Sequence, residues 1–185
     1  MSTTVVLRPI AQHKEEWKPK PAGAKCWERC AEQTKVEAEG EPSKAKGMES
    51  GLTAALGQDF ELGKLKEAGK PSGGVEKWKP PAGNTVTAIS VHVYMAVGKP
   101  SVEGEKSLAV STLGGAAKAE YAEAAAAWKT FSLTKAQIEA AVWETTGGLV
   151  FSNSVMSTED IVYDPYVEVT YEEASATVAP LVMLI

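Results

Sequence analysis

Residues 86–97 alternate in a way that only a half-buried strand requires. Ile89, Val91, Val93, Met95 and Val97 line one side; Ala88, Ser90, His92, Tyr94 and Ala96 line the other. A second run, residues 161–171, repeats the pattern, with Val167, Val169 and Tyr171 set against Tyr166, Glu168 and Thr170. Side chains on a strand point to opposite faces in turn, so each run has one apolar face to bury. Either two sheets face each other or one sheet closes on itself. The expected fold is all-β, an antiparallel, jelly-roll-like β-sandwich.

The rest of the chain supplies further short strands. Residues 4–9 read as the first. A lysine- and proline-rich loop through Trp17 and Pro21 follows, then a short element at residues 26–31 that favours strand over helix. Residues 37–57 and 63–83 carry many glycines and prolines and read as mostly loop. Between them residues 59–62 form a brief strand. Residues 106–112 are expected to return from residues 86–97 as the second arm of a hairpin. The alanine-rich residues 116–127 have helical propensity, but no apolar stripe to anchor a helix. Residues 128–133 read as a strand. Thr134 with Gln137 has the capping-box spacing of a short helix over residues 135–142. Residues 149–151 and 161–171 complete about eight strands with one short helix. Residues 1–172 form one sandwich domain, and residues 173–185 an extension. Full crossover helices do not separate the strands, which excludes a parallel sheet.

Composition narrows the function. The net charge is −5 among 185 residues, without the basic face a nucleic-acid binder needs. Only Arg8 and Arg29 are arginine, so forked recognition of phosphate is disfavoured. No apolar run is long enough for a membrane span. The opening residues lack the basic and apolar regions of a secretory signal. Cys26 and Cys30 would lie ~13 Å apart on a strand, too far for a disulfide, and read as reduced, packed thiols. The alternative, a metal site with His13 or His92, lacks a second spaced pair of ligands.

Catalytic patterns are scarce. His92 lies on the polar face of its strand and reads as a surface or inter-sheet histidine; His13 reads as a solvated histidine in a loop with Lys14, Glu15 and Glu16. No nucleophile elbow, dinucleotide fingerprint or phosphate loop occurs. Glu159, Asp160 and Asp164 cluster before the last strand, where calcium is the alternative to a solvated or structural role. The five tryptophans, Trp17, Trp27, Trp78, Trp128 and Trp143, read as plugs at the edges of the sandwich. The alternative is a set of sugar-stacking platforms.

The order of these pieces resembles a family of virion proteins from tailed bacteriophages. The resemblance rests on Leu7-Arg8-Pro9-Ile10, Trp27-Glu28, Asp59-Phe60-Glu61-Leu62-Gly63 and the long strand at residues 86–97. It continues through residues 108–112, Tyr121, Trp128-Lys129-Thr130-Phe131, Thr134-Lys135-Ala136-Gln137-Ile138-Glu139 and Val167-Glu168-Val169-Thr170-Tyr171. It implies a non-enzymatic structural protein of the particle, a head decoration or minor tail protein, without cofactor. Its implied partners are capsid or tail subunits and copies of itself. A carbohydrate-binding module for a host-surface glycan is the rival expectation.

The extension ends in Leu181, Val182, Met183, Leu184 and Ile185, apolar on every side. Exposed, such a run invites aggregation. It is expected to dock on a neighbouring subunit, by strand addition or in a groove.

Overall fold

The computed structural model describes residues 1–31, 46–50, 57–64, 77–97, 106–122, 125–144, 148–153 and 160–174. Ten strands run through these residues: β1 (Ser2–Glu15), β2 (Lys18–Lys20), β3 (Gly47–Glu49), β4 (Gly57–Gly63) and β5 (Thr85–Ala96), then β6 (Leu108–Thr112), β7 (Ala117–Tyr121), β8 (Ala127–Ser132), β9 (Leu149–Asn153) and β10 (Ile161–Glu172). Two short helices, α1 (Cys26–Ala31) and α2 (Lys135–Glu139), join them. Neither helix is long and apolar enough to cross a membrane.

All pairings between these strands are antiparallel, and they divide into two sheets that share β1. In the first sheet β10 lies between β5 and the N-terminal half of β1, with β8 beyond β5. Further along β10, β3 takes the place of β1, and β2 follows β3. In the second sheet the C-terminal half of β1 pairs with β4, followed by β9, β6 and β7. Leu7 is the last residue of β1 paired in the first sheet, and Arg8 is the first paired in the second.

One core fills the space between the sheets. Val5, Leu7, Ile89, Val91, Val93, Val167 and Val169 enter it from the first sheet; Phe60, Leu108, Val110, Leu149 and Phe151 enter from the second. The expected alternation of residues 89–97 and 167–169 is present, and each buried aliphatic side chain contributes roughly 1.5–3 kcal/mol. The expected antiparallel sandwich is therefore the fold.

A bulge sits in the middle of β10. Tyr163 faces Tyr94 and Tyr166 faces His92, so β10 carries one residue more than β5 over this stretch. That residue reverses the phase of the strand. Val162 is buried before it, and Val167 and Val169 after it. Asp164, within the bulge, has φ +38°, a region that Asp tolerates better than most residues.

Several local expectations are corrected. Residues 26–31 form a helix, because Cys26 and Cys30 at i and i+4 place both thiols on one buried face. Glu28 helps start it by accepting from the Lys25 N–H at 2.8 Å. β6 does not return beside β5: it pairs with β7 and β9 in the other sheet. Within the alanine-rich stretch, residues 117–121 form β7, since pairing with β6 outweighs alanine's helical preference. Its alternation of Ala117, Ala119 and Tyr121 with Lys118 and Glu120 was the visible signal. β1 extends to Glu15, and β2 and β3 occupy stretches read as loop. β3 approaches β10 so closely that a Cβ on Gly47 would overlap the Val162 carbonyl oxygen.

Candidate functional site

Three places bring chemistry-bearing residues together. The first is the outward face of the first sheet. Tyr166 of β10 stacks on His92 of β5, with centroids 4.5 Å apart and planes at 7°. From the other neighbouring strand, the Arg8 guanidinium lies 5.4 Å from the Tyr166 ring centroid. His92 Nε2 is 3.1 Å from Glu168 Oε2, and its Nδ1 is 3.1 Å from the Thr130 hydroxyl. With the proton on Nε2, the imidazole donates to the carboxylate and accepts from threonine. Trp128, Tyr94 and Tyr163 continue the aromatic row.

A hydroxyl, an imidazole and a carboxylate in line can orient a general base. Here the three project from adjacent strands and pair side by side on a sheet face. Cross-strand stabilisation is the chemistry this geometry supplies directly. His13, the other candidate, is not in a loop: it lies in β1, where its Nε2 is 2.6 Å from Glu61 Oε1 on the neighbouring β4.

The second place is a buried polar joint at one end of the sandwich. Ser107 donates to Asp160 Oδ1 at 2.8 Å. The Asp160 N–H donates to Ser50 Oγ at 3.0 Å, and Asn153 Nδ2 reaches the same oxygen at 3.4 Å. The Ser50 N–H donates to the Asp160 carbonyl at 2.9 Å. All four residues are buried. They stand at the ends of β3, β6, β9 and β10, and so tie the two sheets together.

The acids read as a calcium alternative are thus divided between partners. Asp160 belongs to this joint, whereas Asp164 forms an ion pair with Arg8 at the bulge. Glu159 lies outside the described residues. Cys26 and Cys30 are reduced and buried, and Cys26 Sγ donates to the Trp17 carbonyl at 3.3 Å. Burial, with smaller contributions from Cys26 and Asp164, pushes the Cys30 thiol well above its ordinary range. Held in its protonated form, that thiol is a poor nucleophile.

The third place is a groove at the end where β10 finishes. The segment 79–84 and the residues following α2, 141–144, line a cavity of about 490 Å³. A second cavity, of about 330 Å³, lies between Thr85, Val86 and Thr87 and the α2 residues Lys135, Ile138 and Glu139. Trp78 and Trp143 meet edge to face behind the groove, with centroids 5.3 Å apart, and Trp78 contacts Tyr171. α2 is held by the expected capping box: Thr134 Oγ1 accepts from the Gln137 N–H, and Gln137 Oε1 accepts from the Thr134 N–H. It ends at Glu139, shorter than residues 135–142. The cap was legible in the sequence; that residues 79–84 face residues 141–144 was not.

Four of the tryptophans serve the core as expected, whereas Trp128 stands on the outward face of the first sheet. Trp17 is buried in the core; Trp27, Trp78 and Trp143 pack against it; Trp128 packs on the outer tyrosine cluster. Leu181, Val182, Met183, Leu184 and Ile185 lie outside the described residues.

Compared with protein-family models, with curated proteins and with solved structures, the chain matches none.

Proposed function

We propose that this chain is a structural component of a tailed-phage particle, carried on the outer head surface or on the tail. It works by docking on other virion proteins and on copies of itself, without a reaction of its own. One observation supports this reading above the others. The ordered pieces that resemble phage virion proteins fall on the framework of the fold. Arg8-Pro9 lies where β1 changes sheets, the long strand is β5, and Trp128-Lys129-Thr130-Phe131 lies in β8 beside it. Thr134 caps α2, and the closing strand is β10. A resemblance carried by framework positions concerns the scaffold, and a scaffold of this kind serves assembly through its ends and edges.

The test is co-sedimentation of tagged protein with purified particles, followed by retention on a glycan column. Fixed stoichiometry on particles, without glycan retention, is the expected result. Retention on glycan that Trp128→Ala abolishes, with no particle binding, favours the carbohydrate-binding reading instead.

A further inference from the structure

We infer that the groove between residues 79–87 and 135–144 is the receptor for the apolar segment 181–185 of a neighbouring copy. This deepens the docking function proposed above and rests on it.

Most of the groove's lining is apolar. Pro80, Pro81, Ala82, Ala141, Val142 and Trp143 contribute to its lining, and Val142 remains 44% exposed, which is unusual for a large aliphatic side chain here. Its charges are already matched. Lys79 Nζ lies 2.8 Å from Glu144 Oε1, and Lys135 lies 3.9 Å from Glu139. The Lys79–Glu144 hydrogen bond raises the pKa of the lysine and lowers that of the glutamate, so both stay ionised and mutually neutralised. Such a surface suits an occupant without charge. Residues 174–185 contain no charged side chain.

The chain also leaves the sandwich at this groove. The Ala174 N–H donates to Asn84 Oδ1 at 3.1 Å, and the Ala174 methyl lies 3.5 Å from where a Gly83 Cβ would be. Both Gly83 and Asn84 belong to the groove wall. Residues 175–180 then separate Ala174 from Leu181. Six residues span at most about 20 Å, so Leu181 is tethered within reach of the groove mouth at Asn84, and an adjoining copy packed at this end brings its own segment to the same place. Apolar residues spaced along an extended segment, seated in a groove, are a recurring mode of recognition.

The test uses the full chain, a version ending at Pro180, and a synthetic peptide of residues 175–185. The full chain should self-associate with rising concentration in sedimentation velocity. The shortened version should stay monomeric with an unchanged melting temperature. The peptide should bind the shortened version and shift its tryptophan fluorescence, and Val142→Asp should weaken that binding at least tenfold while the protein still melts cooperatively. A full chain that stays monomeric at every concentration overturns the inference, even if the peptide binds. So does peptide binding indifferent to Val142→Asp. A chain that self-associates through the groove but never sediments with particles sinks the virion reading and leaves this inference standing. One that sediments with particles without self-association overturns this inference alone.

Discussion

Arg8 and Asp164 form an ion pair at the point where the two sheets part. Arg8 is the first residue of β1 paired in the second sheet, and Asp164 sits in the bulge of β10. The Asp164 side chain is 0% exposed and that of Arg8 17%. The pair fastens the departing strand to the bulge that reverses the phase of β10. Removing Arg8 leaves a carboxylate buried without its cation. Arg8→Ala should therefore cost about 3–5 kcal/mol, read as a lower midpoint in urea unfolding. Arg8→Lys should recover part of it. An Arg8→Ala midpoint within error of the parent would show that the pair is ornamental.

The core prediction concerns Val91. Its side chain is buried, and its cross-strand neighbours are Val167 and Phe131. Val91→Asp places an unpaired charge between the sheets, and burial of an ionised carboxylate there is prohibitive. The variant should be insoluble or lack a cooperative melt by circular dichroism. A soluble variant with a sharp transition would contradict the strand phase.

How much was legible follows from these same residues. The alternation of Ile89, Val91 and Val93 showed which face of β5 is inside, because period two allows only one solution. The capping box at Thr134 was equally plain, since its signal is local. Residues 26–31 read as strand because the element is short, although the i, i+4 spacing of Cys26 and Cys30 also permits the shared helical face that forms. The pairing of β6 with β9 is long-range, and no local signal at Leu108–Thr112 distinguishes it from a hairpin with β5. The bulge did leave a trace: Asp164-Pro165 interrupts an apolar strand, where proline is confined to edges and irregularities. The groove was invisible because its two walls lie about sixty residues apart in sequence.

The capping box supports a third prediction. Thr134→Ala removes the oxygen that accepts from the Gln137 N–H. Loss of such a cap costs ~1 kcal/mol. A small drop in melting temperature is expected, with Thr134→Ser restoring most of it. Because α2 lines the second cavity, the same variant should weaken binding of the 175–185 peptide.

The thiols give a pH prediction. Cys30 has an ordinary value of 9.0 and is raised by burial; Tyr163, starting from 10.0, is also raised by burial. In both, the folded state holds its proton more tightly than the unfolded state. The stabilisation is therefore complete below about pH 9 and lost as pH rises beyond it. Urea midpoints should fall above pH 9, and Cys30→Ala should flatten that fall. Neither thiol should react with a colorimetric thiol reagent until the protein unfolds. Prompt reaction of two thiols in the native protein would contradict the burial of α1.

The central claim is that this chain is built into a particle. Quantitative mass spectrometry of purified particles measures it most directly. The account predicts a fixed copy number per particle that survives further purification, in the hundreds for the head or a handful for the tail. Absence of the chain from infectious particles, or a copy number that falls with each wash, would contradict it.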